Sequence, residues 1–241
     1  MKRKMIIVYC DRTSSGDLAG PSKDASNLRS YFTSKLGGEW YDSEIETLDN
    51  PKIAKFRSSL NSIAPDTEYS MLVFSGHGGI DKTTNQQYLE LLDGDYCLVD
   101  VKMPASRQTI ILDTCRSYFI RKSEDLAKFA ALLESYDASH PSTRTLYDDY
   151  VLRADEGRTV MTSSSPGQAS GDSNDGGLYI LSLLHSAKNW GSHSGGYSQI
   201  LDLLQVHELA CIYMKKNYLT IQSPMITKDK RRAYFPFAVF K

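Results

Sequence analysis

Short apolar runs rich in β-branched residues alternate along the chain with segments whose apolar residues recur at helical spacing. The runs predict buried strands at 5–10, 69–74 and 108–112, a weaker strand at 159–162 and a short strand at 88–92. Helices are predicted at 21–36, 51–64, 178–188 and 197–216. Buried strands that alternate with amphipathic helices indicate a parallel sheet covered by helices on both faces. The pattern therefore predicts an α/β fold.

Two of the predicted strands end at segments that carry candidate chemistry. The strand at 69–74 leads into Ser75-Gly76-His77-Gly78-Gly79, and the strand at 108–112 leads into Asp113-Thr114-Cys115-Arg116-Ser117. In parallel sheets, ligands bind at the carboxyl ends of the strands. We therefore expect His77 and Cys115 to lie on the same edge of the sheet, although 38 residues separate them in sequence (115 minus 77).

A cysteine beside a histidine is a candidate nucleophile with its base. Imidazole can take the thiol proton near neutral pH, and the thiolate is the attacking form. Glycines next to the histidine let a substrate backbone approach, and they leave backbone N–H groups to face a developing oxyanion. The pattern predicts Cys115 as the nucleophile and His77 as the base, with the N–H groups of Gly78 and Cys115 as oxyanion donors.

Each motif taken alone has a simpler explanation. A single cysteine after an apolar strand is usually a core residue, and a histidine in a glycine loop is usually a turn residue. The loop lacks the lysine and Ser/Thr of a phosphate-binding loop, and no neighbouring His or Cys completes a metal site. The occurrence of both motifs at strand ends, in this order, favours the catalytic pair.

Composition narrows the function classes without adding a site. The 241 residues are 41% hydrophobic and 24% charged, and the formal net charge of -1 gives no attraction to nucleic acid or to an anionic membrane. The apolar run after the basic start is too short for a signal peptide, and no stretch is long enough to span a bilayer. We expect a cytoplasmic protein with free thiols, of which three are ordinary core residues: Cys10, Cys97 and Cys211.

One segment does not follow the alternating pattern. Residues 118–157 are polar, contain Pro141 and carry several basic side chains. A helix is predicted at 123–136, and the rest is expected to be an exposed, partly flexible insertion. The length of the chain otherwise fits a single domain over 1–241.

The two motifs resemble those of caspase-like cysteine peptidases, and most closely those of the metacaspase and bacterial caspase-homologue branch. Phe74–Gly79 reads FSGHGG and Ile111–Ser117 reads ILDTCRS. Supporting similarities lie at Asp17–Ala25 (DLAGPSKDA), Gln168–Asp172 (QASGD) and Phe235–Phe237 (FPF). The resemblance implies the caspase-haemoglobinase fold, a mostly parallel central sheet flanked by helices. It also implies peptide hydrolysis through a thioester intermediate, with the histidine and cysteine of the motifs as a dyad.

The resemblance also bears on specificity. Asp113 stands where true caspases, which cut after aspartate, carry glutamine. An acid beside the nucleophile repels an acidic substrate side chain and attracts a basic one, so cleavage after Arg or Lys is predicted. Asp17 falls where the metacaspase pattern has a second pocket acid, with Asp11 in reserve, and Ser75 and Asp172 are weaker candidates for the pocket lining. The alternative is that Asp113 and Asp17 are structural or loop-capping carboxylates.

Basic residues in and after the insertion suggest self-cleavage. The candidate sites follow Arg121, Lys122, Arg144, Arg153 and Arg158. A solvated loop that is never cut is the alternative.

Many metacaspases need calcium, and the resemblance makes the stretch between the two motifs a candidate metal site. It offers Asp81, Asp93, Asp95 and Asp100, which is few for a cation that takes about six to eight oxygen ligands. We therefore expect no cofactor, and an obligatory calcium site is not favoured.

The leading hypothesis is a cysteine endopeptidase that cleaves one or a few proteins at an exposed Arg or Lys. By resemblance, such enzymes act in regulated cell death or antiviral defence, where they activate a partner such as a pore-forming protein. Two other classes stay open: a latent or inactive caspase homologue that acts as a binding or scaffold protein, and an α/β nucleotide or phosphate binder. The presence of both His77 and Cys115 argues against the scaffold.

Overall fold

The computed structural model describes residues 1–115, 142–192, 199–218, 222–227 and 233–240. Along the chain the elements are β1 (Arg3–Cys10), β2 (Arg12–Thr13), β3 (Gly16–Asp17), α1 (Pro21–Thr33), β4 (Ile45–Asp49), α2 (Ile53–Asn61), β5 (Tyr69–Gly76), β6 (Gly78–Ile80), β7 (Gln87–Leu91), β8 (Gly94–Cys97), β9 (Arg107–Asp113), α3 (Arg144–Arg153), β10 (Gly157–Thr162), β11 (Asp172–Ser173), β12 (Gly176–Gly177), α4 (Leu178–Ser192), β13 (Gln199–Asp202), α5 (Leu203–Asn217), β14 (Met225–Ile226) and β15 (Pro236–Phe240). None of the described helices combines the length and the apolar composition that crossing a bilayer requires.

The centre of the molecule is a six-stranded sheet in the order β14–β10–β9–β5–β1–β4. Its strands are parallel except for β14, which runs antiparallel to β10. Successive side chains of a strand point to opposite faces. Met5 and Ile7 of β1 therefore join the apolar cluster that includes α1, α3, α4 and α5, whereas Ile6 and Val8 join the cluster that includes α2. The predicted α/β fold, with helices on both faces of the sheet, is confirmed.

The register of the central strands brings the two motif segments together. β5 and β9 are neighbours, and Ser75 pairs with Asp113 at their carboxyl ends. His77 directly follows β5, and Cys115 stands two residues after β9. Both residues therefore leave the same edge of the sheet. β1 ends at this edge as well and leads into the hairpin formed by β2 and β3.

The segment predicted as one helix over 197–216 is divided into a strand and a helix. β13 pairs antiparallel with β15, and α5 begins only at Leu203. Asp202 sets this boundary, because its carboxylate accepts the N–H of Gln205 at 2.9 Å and the Gln205 side chain accepts the N–H of Asp202 at 3.1 Å. Such a reciprocal cap fixes the start of a helix.

Two other helix boundaries also differ from the prediction. α1 ends at Thr33, three residues earlier than expected, because Ser34 takes an extended conformation. α2 begins at Ile53, whose N–H is accepted by the carboxylate of Asp93 at 2.7 Å. Asn50, expected to cap this helix, has a φ of 42° and donates to Asp11 instead.

The last part of the predicted insertion belongs to the packed fold. Residues 116–141 lie outside the described residues, but α3 follows directly after them. Tyr147 and Val151 of this helix are fully buried in the larger apolar cluster. The prediction of an exposed insertion over 118–157 is therefore wrong for α3, because the apolar face of this helix is needed to complete the core.

Candidate active site

The thiol of Cys115 contacts the backbone of Ser170. The N–H of Ser170 donates to Sγ at 3.4 Å, and the thiol lies 3.7 Å from the Ser170 carbonyl oxygen, which accepts from it. Burial raises the pKa of the Cys115 thiol, the Ser170 N–H opposes this, and the negative charges of Asp113 and Asp172 raise it further. The resting side chain is therefore a protonated thiol that needs a base before it can attack.

The His77 ring is held by the hairpin of β2 and β3. Its Nε2 lies 3.1 Å from the carbonyl oxygen of Gly16. A carbonyl oxygen only accepts, so Nε2 carries the proton and Nδ1 is the nitrogen that can accept another. In the described part of the chain, the hydrogen bonds of the Cys115 thiol go to Ser170 and not to His77. The thiol and the imidazole each contact a backbone group in this arrangement.

Thr114 packs the cysteine motif against the histidine motif. A Cβ on Gly78 would lie 2.7 Å from the Thr114 hydroxyl oxygen, so only glycine allows this approach. The same hydroxyl accepts from the side-chain amide of Gln87 at 3.3 Å. Since Gly78 follows His77 and Thr114 precedes Cys115, the backbones of both predicted oxyanion donors lie in one region of the site.

Asp24, in the first turn of α1, is fully buried near this edge of the sheet. Its carboxylate accepts the hydroxyl of Ser75 at 2.6 Å and the N–H of Gly177 at 3.0 and 3.1 Å. Burial, followed by the negative charge of Asp113, raises the pKa of Asp24 well above its ordinary value. Ser75, a weaker candidate for the pocket lining, is therefore hydrogen-bonded to a buried acid.

Asp113, the last residue of β9, is only 5% exposed and lies next to Asp24. Its carboxylate accepts the hydroxyl of Ser170 at 2.7 Å and the N–H of Ile180 at 3.1 Å. Burial raises the pKa of Asp113 to about 6 in spite of these hydrogen bonds. A Cβ on Gly177 would come within 2.3 Å of Asp113 Oδ2, so Gly177 touches both acids. The two carboxylates are neighbours around this glycine.

Asp172 adds a third negative charge. Its Oδ2 accepts the N–H groups of Ala19 and Gly20, both at 3.1 Å, at the start of α1. Burial raises the pKa of Asp172, while these hydrogen bonds and the electrostatic interaction with His77 oppose the increase. Within the described ranges, none of the three acids has a basic side chain as an ion-pair partner.

The site combines a histidine and a cysteine that follow neighbouring parallel strands with buried acids close to the ends of those strands. We compared the sequence and the fold with those of known families. The sequence model of the caspase domain matches residues 2–233. The chain belongs to the caspase-domain peptidase family.

The caspase domain is also recognised from the structure. The chain is similar to the crystal structure of caspase-1 from Spodoptera frugiperda, with a TM-score of 0.60 over 94% of this chain and 85% of that chain, at 14% sequence identity. At this identity the likeness concerns the fold alone, and it confirms the predicted caspase-haemoglobinase architecture. No curated protein matches the sequence.

The structure does not place Asp17 beside Asp113. Asp17 lies on β3, where it is exposed and pairs with Arg12 in the hairpin. Asp11, the reserve candidate, accepts from Asn50 at 2.6 Å and lies 3.3 Å from the guanidinium of Arg12. The acid buried beside Asp113 is Asp24 and not Asp17, and a pocket role for Asp17 stays a prediction.

A signal for Asp24 was present in the sequence. It stands among the apolar positions of α1, between the buried residues Pro21 and Leu28, where an acidic side chain is out of place. Weaker signals were present for the contacts of Ser170 and Gly177 with the acids. Ser170 lies in the supporting motif Gln168–Asp172, and Gly177 belongs to a Gly-Gly pair. The Gly16 carbonyl had none, because any residue supplies a carbonyl oxygen.

Three of the proposed self-cleavage sites lie within regular structure of the caspase domain. Arg144 is in α3 and pairs with Glu44 at 2.6 Å, and Arg158 is in β10 of the central sheet. Both residues therefore have structural contacts, and cleavage after either one stays a prediction. Arg153 is exposed at the end of α3. Outside the described residues lie Arg121 and Lys122.

The aspartates considered for calcium have other contacts in the caspase domain. Asp93 caps α2, and Asp81 accepts the N–H of Thr83 at 2.7 Å. Across the described ranges, no group of three or more His, Cys, Asp or Glu side chains is placed to hold a metal ion. The expectation that calcium is not obligatory stays a prediction.

Proposed function

We propose that this chain is a cysteine endopeptidase that cleaves proteins after Arg or Lys through a dyad of Cys115 and His77. The observation that carries the specificity is the pair of neighbouring buried carboxylates, Asp24 and Asp113, of which Asp113 acts electrostatically on the Cys115 thiol. A guanidinium or ammonium group that enters this region would pair with both acids, and charged hydrogen bonds of this kind are strong where water is excluded. An acidic side chain would be repelled.

In the proposed reaction, Nδ1 of His77 removes the thiol proton of Cys115, and the thiolate attacks the carbonyl carbon of the Arg or Lys residue. The N–H groups of Gly78 and Cys115 stabilise the resulting oxyanion. As the C–N bond breaks, His77 gives the proton to the leaving amine and a thioester to Cys115 remains. Water then attacks the thioester with His77 as its base, which releases the new carboxyl terminus and restores the thiol.

A panel of matched fluorogenic peptides tests this proposal. Peptides that end in Arg or Lys are expected to give a kcat/KM at least about 100-fold higher than the same peptide ending in Asp, because a buried charge pair of this kind contributes about 2–5 kcal/mol. The measurement is steady-state release of the fluorophore. Cys115→Ala protein serves as the blank for any contaminating peptidase.

The possible outcomes of the panel separate the alternatives. Cleavage after Asp would keep the peptidase and overturn the acid pocket. If no peptide is cleaved, an arginyl probe that alkylates thiols distinguishes a latent enzyme, whose Cys115 is labelled, from a scaffold protein, whose Cys115 is not.

The preference for a cationic residue should depend on pH. Because the pKa of Asp113 is raised to about 6, its carboxyl is largely protonated at about pH 5 and ionised at neutral pH. We expect the ratio of kcat/KM for an arginyl peptide to that for a citrullyl peptide to rise with pH through about 6. Citrulline has nearly the shape of arginine without its charge, so titration of the dyad cancels in the ratio. A ratio that stays flat from about pH 5 to about pH 8 contradicts the prediction.

The wider role is part of the same proposal. The natural substrate would be a protein with an exposed Arg or Lys site, and its cleavage would activate a partner, such as a pore-forming protein, in regulated cell death or defence in the cytoplasm. Support for this role comes from the resemblance to metacaspases and bacterial caspase homologues. The geometry of the site supports only the proposed preference for Arg or Lys.

A further inference from the structure

Glu90 of β7 is a buried carboxylate that contacts the hairpin turn between β2 and β3. Only 7% of the residue is exposed. Its Oε1 accepts the hydroxyl of Ser14 at 2.6 Å and the N–H of Ser15 at 3.0 Å. Burial raises the pKa of Glu90, but the hydrogen bonds from the two serines outweigh it and hold the pKa below the ordinary value. The side chain is therefore an ionised acceptor at neutral pH.

The backbone of Glu90 contacts the backbone of His77. Its N–H donates to the carbonyl oxygen of His77 at 3.0 Å. Ser14 and Ser15 form the turn of the hairpin, and the next residue, Gly16, accepts from the His77 ring at 3.1 Å. Hydrogen bonds thus form a closed ring from the imidazole to the hairpin, from the hairpin to Glu90 and from Glu90 back to His77.

The hairpin needs this support because it is small and exposed. It consists of two strands of two residues each, and Ser14, Ser15 and Gly16 are all exposed. A two-stranded hairpin by itself is marginally stable in water. A charged, buried acceptor on its turn is therefore a contact that helps to fix the position of the Gly16 carbonyl.

We propose that Glu90 is a positioning residue for His77. Its carboxylate holds the hairpin turn so that the Gly16 carbonyl keeps the imidazole proton on Nε2 and leaves Nδ1 to accept the thiol proton. The inference rests on the proposed dyad of His77 and Cys115, and it assigns to Glu90 no contact with the substrate.

Kinetics of Glu90→Ala, Glu90→Gln and a matched control test the proposal. Glu90→Ala is expected to lower kcat about 10- to 100-fold with little change in KM, because a displaced catalytic group loses rate and not substrate affinity. Glu90→Gln keeps an acceptor oxygen and should restore most of kcat. The control is Glu46→Ala, since Glu46 accepts from Ser59 and Lys55 at 2.8 and 3.0 Å in a similar way but contacts α2. It should retain the kcat of the unmodified chain.

A spectroscopic measurement makes the test independent of turnover. In a Cys115→Ala background, the ¹⁵N shifts of the His77 ring report which nitrogen carries the proton, and His77→Gln identifies the signal among the five histidines. We expect the Nε2–H tautomer, a mixture of tautomers after Glu90→Ala, and the Nε2–H tautomer again after Glu90→Gln. Ser14→Ala, a small change on an exposed turn, should also give a mixture of tautomers. It replaces Glu90→Ala in the test if Glu90→Ala does not fold.

An unchanged tautomer in both Glu90→Ala and Ser14→Ala overturns the positioning role, as does a kcat that falls equally in Glu46→Ala. If no peptide is cleaved by the unmodified chain, the proposed function fails, and the tautomer measurement still decides the role of Glu90.

Discussion

Replacing Asp24 or Asp113 by asparagine is expected to lower kcat/KM for an arginyl peptide about 100-fold, while the value for a citrullyl peptide stays nearly unchanged. Asparagine has the size of aspartate and keeps an oxygen acceptor for the N–H groups of Gly177 and Ile180. The variants therefore leave the shape of the region in place but cannot supply a negative charge to a bound cation. Steady-state kinetics on both peptides measures the effect.

Asp17→Asn is the matched control for the acid pair. Asp17 belongs to the same sequence motif as Asp24 but is exposed on the hairpin, so this variant should cleave like the unmodified chain. An equal loss in Asp17→Asn would contradict the assignment of the pocket, as would an equal loss with the arginyl and citrullyl peptides in the two pocket variants.

The melting temperature shows whether the pocket variants stay folded. The pKa of Asp24 is raised in the folded state, so the stability that this group contributes is complete below its unfolded pKa and is lost as pH rises through the folded value. Asparagine cannot ionise. Asp24→Asn should therefore melt at least as high as the unmodified chain at neutral pH, and a lower value would mean that its kinetic loss reflects damage to the fold.

The second large effect is expected for the dyad itself. Cys115→Ala and His77→Ala should each lower kcat about ten-thousand-fold or more, and the double variant should lose no more than the worse single variant, because the two groups act as a unit. Single-turnover assays at high enzyme concentration measure such low rates. Losses that multiply in the double variant would mean that the two residues act independently.

A cysteine–histidine contact away from the proposed site provides the control. Cys211 and His207 of α5 lie 3.6 Å apart, from Sγ to Nε2. Cys211→Ala removes a thiol with a histidine neighbour outside the proposed site, so it should keep full activity. If activity is lost in Cys211→Ala and kept in Cys115→Ala, the nucleophile has been assigned to the wrong residue.

The sequence predicts the inner strands well and the edge strand poorly. β5 is buried along its whole length between the two helical layers, so Met71–Phe74 had to be an apolar run. β4 lies at the edge of the sheet, where only Ile45 and Leu48 of its five residues are buried. A segment with two apolar residues has no periodicity that separates it from a loop, and β4 was not predicted.

The same reasoning explains why the sequence predicts that the two motifs meet but does not predict the pairing of Asp24 with Asp113. His77 and Cys115 lie within two residues of the ends of the recognisable strands β5 and β9, so parallel pairing alone brings their backbones together. The place of Asp24 depends on which face of α1 turns inward and on the approach of Gly177, 153 residues later (177 minus 24). Contacts of this range arise from tertiary packing and leave little trace in local pattern.

The strand order has a consequence for a chain that is cut between 116 and 141. β9, from before this segment, pairs with β10, from after it, over six residue pairs, and Arg144 joins Glu44 across the same division. The proposed pocket is divided in the same way, because its acids come from the first part and Ser170 and Gly177 come from the second. A nicked molecule would therefore persist as a noncovalent heterodimer, and neither fragment alone would contain a complete substrate pocket.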